Sequence, residues 1–215
     1  MSDSLYIFDF DGTLADSFAV ALSAYNRVAP RLQLHLAQLE QLPRLRTMPI
    51  GPLMAALGIS MWKLPQIMLA VRQEMRGYVS SISPFPGVIE AIQQINQKGA
   101  RLAIVSSNSQ ENVERFLEQH QLTMFEQIDA GVSLFGKGTR LRRLIGVMKA
   151  NKNHIAYIGD TVADVRAAQE AKIPSVAVTW GFSHRNLLEN ESPDVLADHP
   201  QDLPKILAEL AQRHP

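Results

Sequence analysis

Cysteine is absent from this chain. That excludes a disulfide scaffold and a thiolate zinc site, and it fits a reducing compartment, so a cytoplasmic protein is expected. Net charge is absent too: 21 Lys and Arg balance 21 Asp and Glu. No field of one sign therefore favours nucleic acid or an anionic membrane surface as a partner. No apolar run is long enough to span a bilayer. Asp3, Asp9 and Asp11 interrupt the N-terminal stretch, so no signal peptide is read there. Repeats and low-complexity tracts are missing. His35, His120, His184 and His199 form no cluster with metal-ligand spacing. What is present, 215 residues with 46% hydrophobic and 20% charged content, is enough for one sizeable soluble domain, or one carrying a smaller insert.

Five short apolar runs read as buried strands, at residues 5–8, 102–105, 127–130, 155–158 and 175–179. Helical patterns separate the later ones, at 88–97, 110–119, 139–149 and 161–171. In the first of these, Val88, Ile89, Ile92 and Ile95 recur at helical spacing. A short run at 195–197 and a final helix near 203–212 follow. Such alternation predicts an α/β fold with a Rossmann-like parallel sheet covered on both faces. Ligands in such sheets bind beyond the carboxyl ends of the strands.

Residues 16–83 break the alternation. Segments 17–28, 52–57 and 64–79 look helical, with Pro30, Pro43, Pro49 and Pro65 between or within them. One reading is an all-helical insertion after the first strand, with Pro84-Phe85-Pro86-Gly87 as the return hinge. The other places these helices in the main layer, but the crossover is then much longer than a strand connection needs.

The run Leu5-Tyr6-Ile7-Phe8 leads straight into Asp9-Phe10-Asp11-Gly12-Thr13. Carboxylates at the mouth of a buried strand repel each other unless a cation joins them. Asp-x-Asp-Gly can be an ordinary turn. A calcium loop would need a third Asp or Asn before the glycine and a later Glu, and both are missing. A catalytic acidic strand end is the third reading, because oxygen ligands suit Mg²⁺ and an Asp can be a nucleophile. Two other strand ends carry polar residues. Residues 102–105 run into Ser106-Ser107-Asn108, and 155–158 run into Gly159-Asp160, with Asp164 one helical turn on. In a parallel sheet these ends share one side.

Asp9-Phe10-Asp11-Gly12-Thr13-Leu14, a strand ending in Ser106, then Lys137, then Gly159-Asp160-Thr161-Val162-Ala163-Asp164 together resemble the haloacid dehalogenase superfamily. Within it, the chain is most similar to the phosphoglycolate-phosphatase-like branch. The resemblance implies a Mg²⁺-dependent phosphatase acting on a small phosphomonoester through an aspartyl phosphate. It implies a core of residues 1–15 and 84–215 and a helical cap of 16–83 that acts as a lid. Asp9 would be the nucleophile and Asp11 the acid, then the base. Asp9, the Asp11 main chain and Asp160 would hold Mg²⁺, with Asp164 orienting that shell. Phe10, Asp11, Ser106, Ser107 and Lys137 would bind phosphate.

Some positions keep alternatives. Ser106 can instead cap the helix near Gln110. Asp164 can be a first-turn acidic residue favoured by the helix dipole. The family shows Lys-Pro where this chain has Lys137-Gly138-Thr139-Arg140, so Lys149 and Lys152 are rivals, with Lys137 best matching a loop after the third strand. In the cap, Arg46, Thr47, Trp62, Arg72 and Arg76 are candidate substrate contacts, each against a packing or solvated role. Trp180-Gly181 can shape the site floor or serve core packing. Alternatives to the hydrolase are a phosphomutase on the same core and a non-enzymatic binding or regulatory member. The latter would be expected to lack a motif residue. A dehalogenase would need neither Asp11 nor a metal. No feature speaks to oligomeric state or to which phosphate ester is used.

Overall fold

The computed structural model describes residues 4–131, 136–150 and 154–213. Six strands form one parallel sheet: β1 Leu5–Phe8, β2 Arg101–Val105, β3 Phe125–Asp129, β4 Ile155–Gly159, β5 Ser175–Val178 and β6 Val195–Ala197. Their order is β3-β2-β1-β4-β5-β6. The chain thus reverses its direction of travel between β1 and β4, and a crevice opens at the carboxyl ends there. Phe8 is in register with Ile104 of β2 and Ile158 of β4, so the three strands end nearly level.

β1 is buried on both faces, and its alternate residues enter two cores. Tyr6 and Phe8 pack with Ile92 and Ile95 of α5 (Val88–Gln97), Phe116 of α6 (Gln110–Gln119) and Leu207 of a C-terminal helix, Leu203–Arg213. Leu5 and Ile7 pack with Leu141, Leu144 and Ile145 of α7 (Lys137–Met148) and Ala167, Ala168 and Ala171 of α8 (Val162–Ala171). Small alanines let α8 lie close to the sheet.

The third strand begins at Phe125 and ends at Asp129, two residues earlier at its start than the apolar pattern predicts. It is an edge strand with exposed Glu126 and Gln127, so its sequence carries no buried run. The run at 195–197 is a sixth strand, too short to show a period. A short helix at Arg185–Glu189, α9, precedes it and was not legible; the C-terminal helix Leu203–Arg213 is α10.

Between β1 and α5 the described chain is helical: α1 Phe18–Val28, α2 Leu42–Arg46, α3 Ile50–Ala56 and α4 Leu64–Met75, with 3₁₀ turns between. Tyr25, Ala29, Leu34, Ala37 and Ile67 form a cluster of their own there. Ala24, Met75 and Val79 join the main core instead. The two connecting segments pair through an isolated bridge between Ala15 and Pro84. Asp16 N–H donates to Ser83 O at 2.9 Å and Phe85 N–H to Leu14 O at 3.1 Å. No single helix among the described residues is long and apolar enough to cross a membrane.

Ile92 is fully buried against the sheet. Ile92→Ala should lower stability by about 2–5 kcal/mol, the usual cost of a large-to-small core change. Urea unfolding checks this, and a loss well under about 1 kcal/mol would show that α5 packs loosely.

Candidate active site

The carboxyl ends of β1, β2 and β4 bring Asp9, Ser106 and Asp160 together, each buried. Asp9, Asp160 and Asp164 each offer an oxygen, and these atoms lie within 4.8 Å of one another. Lys137 sits among them. Its Nζ donates to Asp9 Oδ2 at 2.7 Å and to Asp164 Oδ1 at 2.5 Å. Lys137 is the first residue of α7, not part of a loop as the sequence pattern predicts. A lysine at a helix N-terminus opposes the helix dipole, so its tertiary partners decide its place. Glycine follows it for a steric reason: a Cβ at position 138 would meet Glu170 Oε2 at 2.5 Å. Lys149 is the C-terminal cap of α7, at the opposite end of the helix from Lys137. Lys152 lies outside the described residues.

Asp9 and Asp11 differ in their partners. Asp9 Oδ1 accepts from the Phe10 amide at 2.7 Å, and its other oxygen takes Lys137. Burial raises its carboxyl to about 7, against the pull of the Lys137 ammonium, with Asp164 and Asp11 adding to the rise. Asp11 instead accepts from the Ser17 hydroxyl at 2.6 Å and the Asn108 amide at 2.9 Å. Burial raises its pKa as well, opposed by those two bonds and by the charges of Lys137 and Arg72. For Lys137, burial opposes the charge, yet Asp164 and Asp9 hold it above the usual lysine range.

Asp160 is held by neutral donors, the Thr13 hydroxyl at 3.0 Å and the Phe182 amide at 2.7 Å. Burial, then the negative charges of Asp164 and Asp9, push its carboxyl well above the normal range. One ammonium for three buried carboxylates leaves negative charge uncompensated, and an all-oxygen donor set fits a hard divalent cation. Asp164 has little left to offer such a cation. Its Oδ1 takes Lys137 and the Tyr157 hydroxyl, and its Oδ2 takes the Thr161 amide and hydroxyl in a capping box. It is both the first-turn acidic residue of α8 and a partner of Lys137.

Ser106 is not a helix cap; Ser109 caps α6, accepting from Asn112 N at 3.3 Å. Ser106 Oγ accepts from the Asn108 backbone N–H at 3.0 Å. Ser107 is half-buried beside it. Of the cap candidates, Arg46 hydrogen-bonds the carbonyls of Gly181 and Phe182, and Arg76 pairs with Glu111 at 2.8 Å. Trp62 is 76% exposed, with the Lys63 ammonium over its ring. Thr47 bonds Arg44 O and lines a cleft of about 650 Å³ with Phe18, Arg46, Trp180 and Phe182. The Asp9 and Asp11 side chains do not line that cleft; the 180–182 loop forms part of its wall. Trp180 packs on the core and its indole N–H bonds Thr13 O at 3.1 Å.

Ser17, Thr13, Asn108 and Tyr157 were not singled out as site residues by sequence reasoning. Thr13 and Asn108 lie inside the quoted motifs. Tyr157 carried a signal: a hydroxyl in a fully buried strand must find a partner, and it finds Asp164 and Val105 O. The Phe182 amide carried none.

Comparison with known proteins gives the family and the fold. Residues 6–178 match the haloacid dehalogenase-like hydrolase family. The chain is 31% identical over 208 residues to a phosphoglycolate phosphatase of Synechococcus elongatus, covering 96% of this chain and 98% of the relative. It is 24% identical to a pyrophosphatase of Bacillus anthracis, over 98% of this chain and 99% of that one. A haloacid dehalogenase-like hydrolase from Streptococcus pneumoniae superposes with a TM-score of 0.78 at 21% identity, covering 97% of this chain and 99% of its own. The chain belongs to the haloacid dehalogenase-like hydrolases.

Two glycines make the close packing possible. Gly12 has φ +78°, and a Cβ there would lie 2.2 Å from Asp160 Oδ2. A Cβ on Gly181 would lie 2.3 Å from both Asp160 Cβ and Gly12 O. Gly181→Ala should therefore cost about 1–3 kcal/mol by overpacking. Gly146, in the last turn of α7, has nothing within 4 Å of such a Cβ. Gly146→Ala should gain about 0.5–1 kcal/mol through helix propensity. Paired denaturation curves test this; equal shifts would contradict the crowding at Gly181.

Proposed function

We propose that this hydrolase is a Mg²⁺-dependent phosphatase that cleaves a small phosphomonoester through an aspartyl phosphate on Asp9. One observation carries the reading: two adjacent carboxylates with different partners, Asp9 on an ammonium and Asp11 on neutral donors. Distinct surroundings suit distinct roles.

In the first half-reaction an Asp9 oxygen attacks phosphorus and the bond to the leaving oxygen breaks. Asp11 gives its proton to that oxygen. In the second, Asp11 takes a proton from water, the water oxygen bonds phosphorus, and the Asp9 carboxylate departs. The raised pKa of Asp11 suits a group that must begin protonated. Lys137 fixes Asp9 and adds positive charge beside the phosphoryl group. Ser106, Ser107 and the main chain at Phe10 and Asp11 bind phosphoryl oxygens. Asp9, the Asp11 carbonyl and Asp160 would hold Mg²⁺, whose chemistry is to offset charge on nucleophile and phosphate. Asp164, with both oxygens engaged, orients Lys137 instead of ligating metal.

The same reading divides the chain into a core, residues 1–15 and 84–215, and a helical cap, 16–83, that excludes water and selects substrate. The paired connectors and the separate apolar cluster support it. Arg46, Trp62 and Arg76 are the candidate selective contacts. The absence of cysteine supports a cytoplasmic setting. Among substrates, phosphoglycolate is favoured by the Synechococcus relative. Pyrophosphate is the second reading, favoured by a Bacillus relative that matches over nearly the whole chain.

Phosphate release from phosphoglycolate, pyrophosphate and sugar phosphates should vanish with chelator and return with Mg²⁺. Ca²⁺ should restore it poorly, since its looser coordination misplaces the nucleophile. Full activity in excess chelator would end the metal reading. In the first half-reaction, read as single-turnover release of the leaving alcohol, Asp11→Asn should slow a sugar phosphate by roughly 10²–10⁴-fold and an aryl phosphate, whose leaving group needs no proton, much less. Equal loss on both would remove Asp11 from the proton-donor role.

A further inference from the structure

The loop after β5 touches the acidic site on one side and the helical segment on the other. On the site side, Phe182 N–H donates to Asp160 Oδ2 at 2.7 Å and Ser183 N–H to Asp160 O at 3.3 Å. On the other side, the Arg46 guanidinium at the end of α2 grips two successive carbonyls. Its Nη2 donates to Gly181 O and its Nε to Phe182 O at 3.3 Å. The loop answers: His184 N–H donates to Arg46 O at 2.9 Å. Phe18 of α1 adds an edge-on ring contact to Phe182, with centroids 4.9 Å apart. The Gly181 carbonyl that Arg46 holds and the Phe182 amide that holds Asp160 are therefore the two ends of one peptide unit. Gly181 fits tightly against Asp160 and Gly12, so the loop has little room to move without moving that carboxylate.

We propose that Arg46 is a positioning residue that ties docking of the helical segment to the orientation of Asp160, and so to metal affinity. This rests on the reading of Asp160 as a metal ligand. Groups that orient a ligand from behind typically change metal affinity by 10–100-fold when removed. Arg46 acts one step further back, through the loop backbone, so the lower end applies. The coupling is reciprocal: a cation that binds better to the docked form must favour docking by the same factor. Lysine cannot replace the fork of donors that spans two carbonyls.

The test is calorimetric titration of Mg²⁺ into the metal-free protein, without substrate. Arg46→Ala should bind roughly 10-fold more weakly than the parent, and Arg46→Lys should fall between them. Gln119→Ala is the control. It removes another bond between the two parts, Gln119 Nε2 to Ser80 O at 3.1 Å, which involves no residue of the loop. It should leave Mg²⁺ affinity unchanged. Mg²⁺ should also slow amide exchange in α2 of the parent but not of Arg46→Ala. Unchanged affinity in a folded Arg46→Ala, or an equal loss in Gln119→Ala, would overturn the proposal while leaving the metal site intact. A parent that binds no Mg²⁺ would overturn both readings.

Discussion

A buried ammonium held between buried carboxylates is the interaction on which the site depends. Lys137, Asp9 and Asp164 are all nearly inaccessible, and Lys137 bridges the other two. Removing one member of such a set typically costs 3–5 kcal/mol, because a charge is left buried and alone. The arrangement also joins the sheet to two helices. Asp9 follows β1, Lys137 opens α7 and Asp164 closes the capping box of α8. Electrostatics and helix placement are therefore the same feature seen from two sides.

That balance is incomplete by design of the donor set. Lys137 answers Asp9 and Asp164, whereas Asp160 has a hydroxyl and an amide. The raised carboxyls of Asp9 and Asp160 follow from burial that one ammonium does not offset. On the proposed reading, a divalent cation completes the set, and phosphate binding follows from the same surplus of fixed donors at three strand ends.

Much of this was legible in the sequence. The central strands β1, β2 and β4 announce themselves because both faces are buried and nearly every residue is apolar. Asp9, Asp11, Ser106 and Asp160 were legible because they interrupt or follow those runs. Edge strands were harder. β3 exposes Glu126 and Gln127, and β6 has three residues. Lys137 stands out by its place after the third strand, but its helical start does not, since local propensity argues against lysine there. Ser17 and the Phe182 amide were illegible for another reason. Both act through contacts that only the folded chain creates, one across the turn after β1 and the other from a loop that is 22 residues beyond Asp160. The bonds of Arg46 to that same loop cannot be inferred from spacing.

On the proposed reading, a covalent intermediate forms on Asp9. It is tested most directly by quenching the enzyme in acid during turnover and reducing it with borohydride, which converts an aspartyl phosphate to homoserine. Peptide mass spectrometry then reads the site. Homoserine is expected at position 9, dependent on Mg²⁺ and on substrate. Steady turnover with Asp9 unmodified, or modification at another carboxylate, would contradict it.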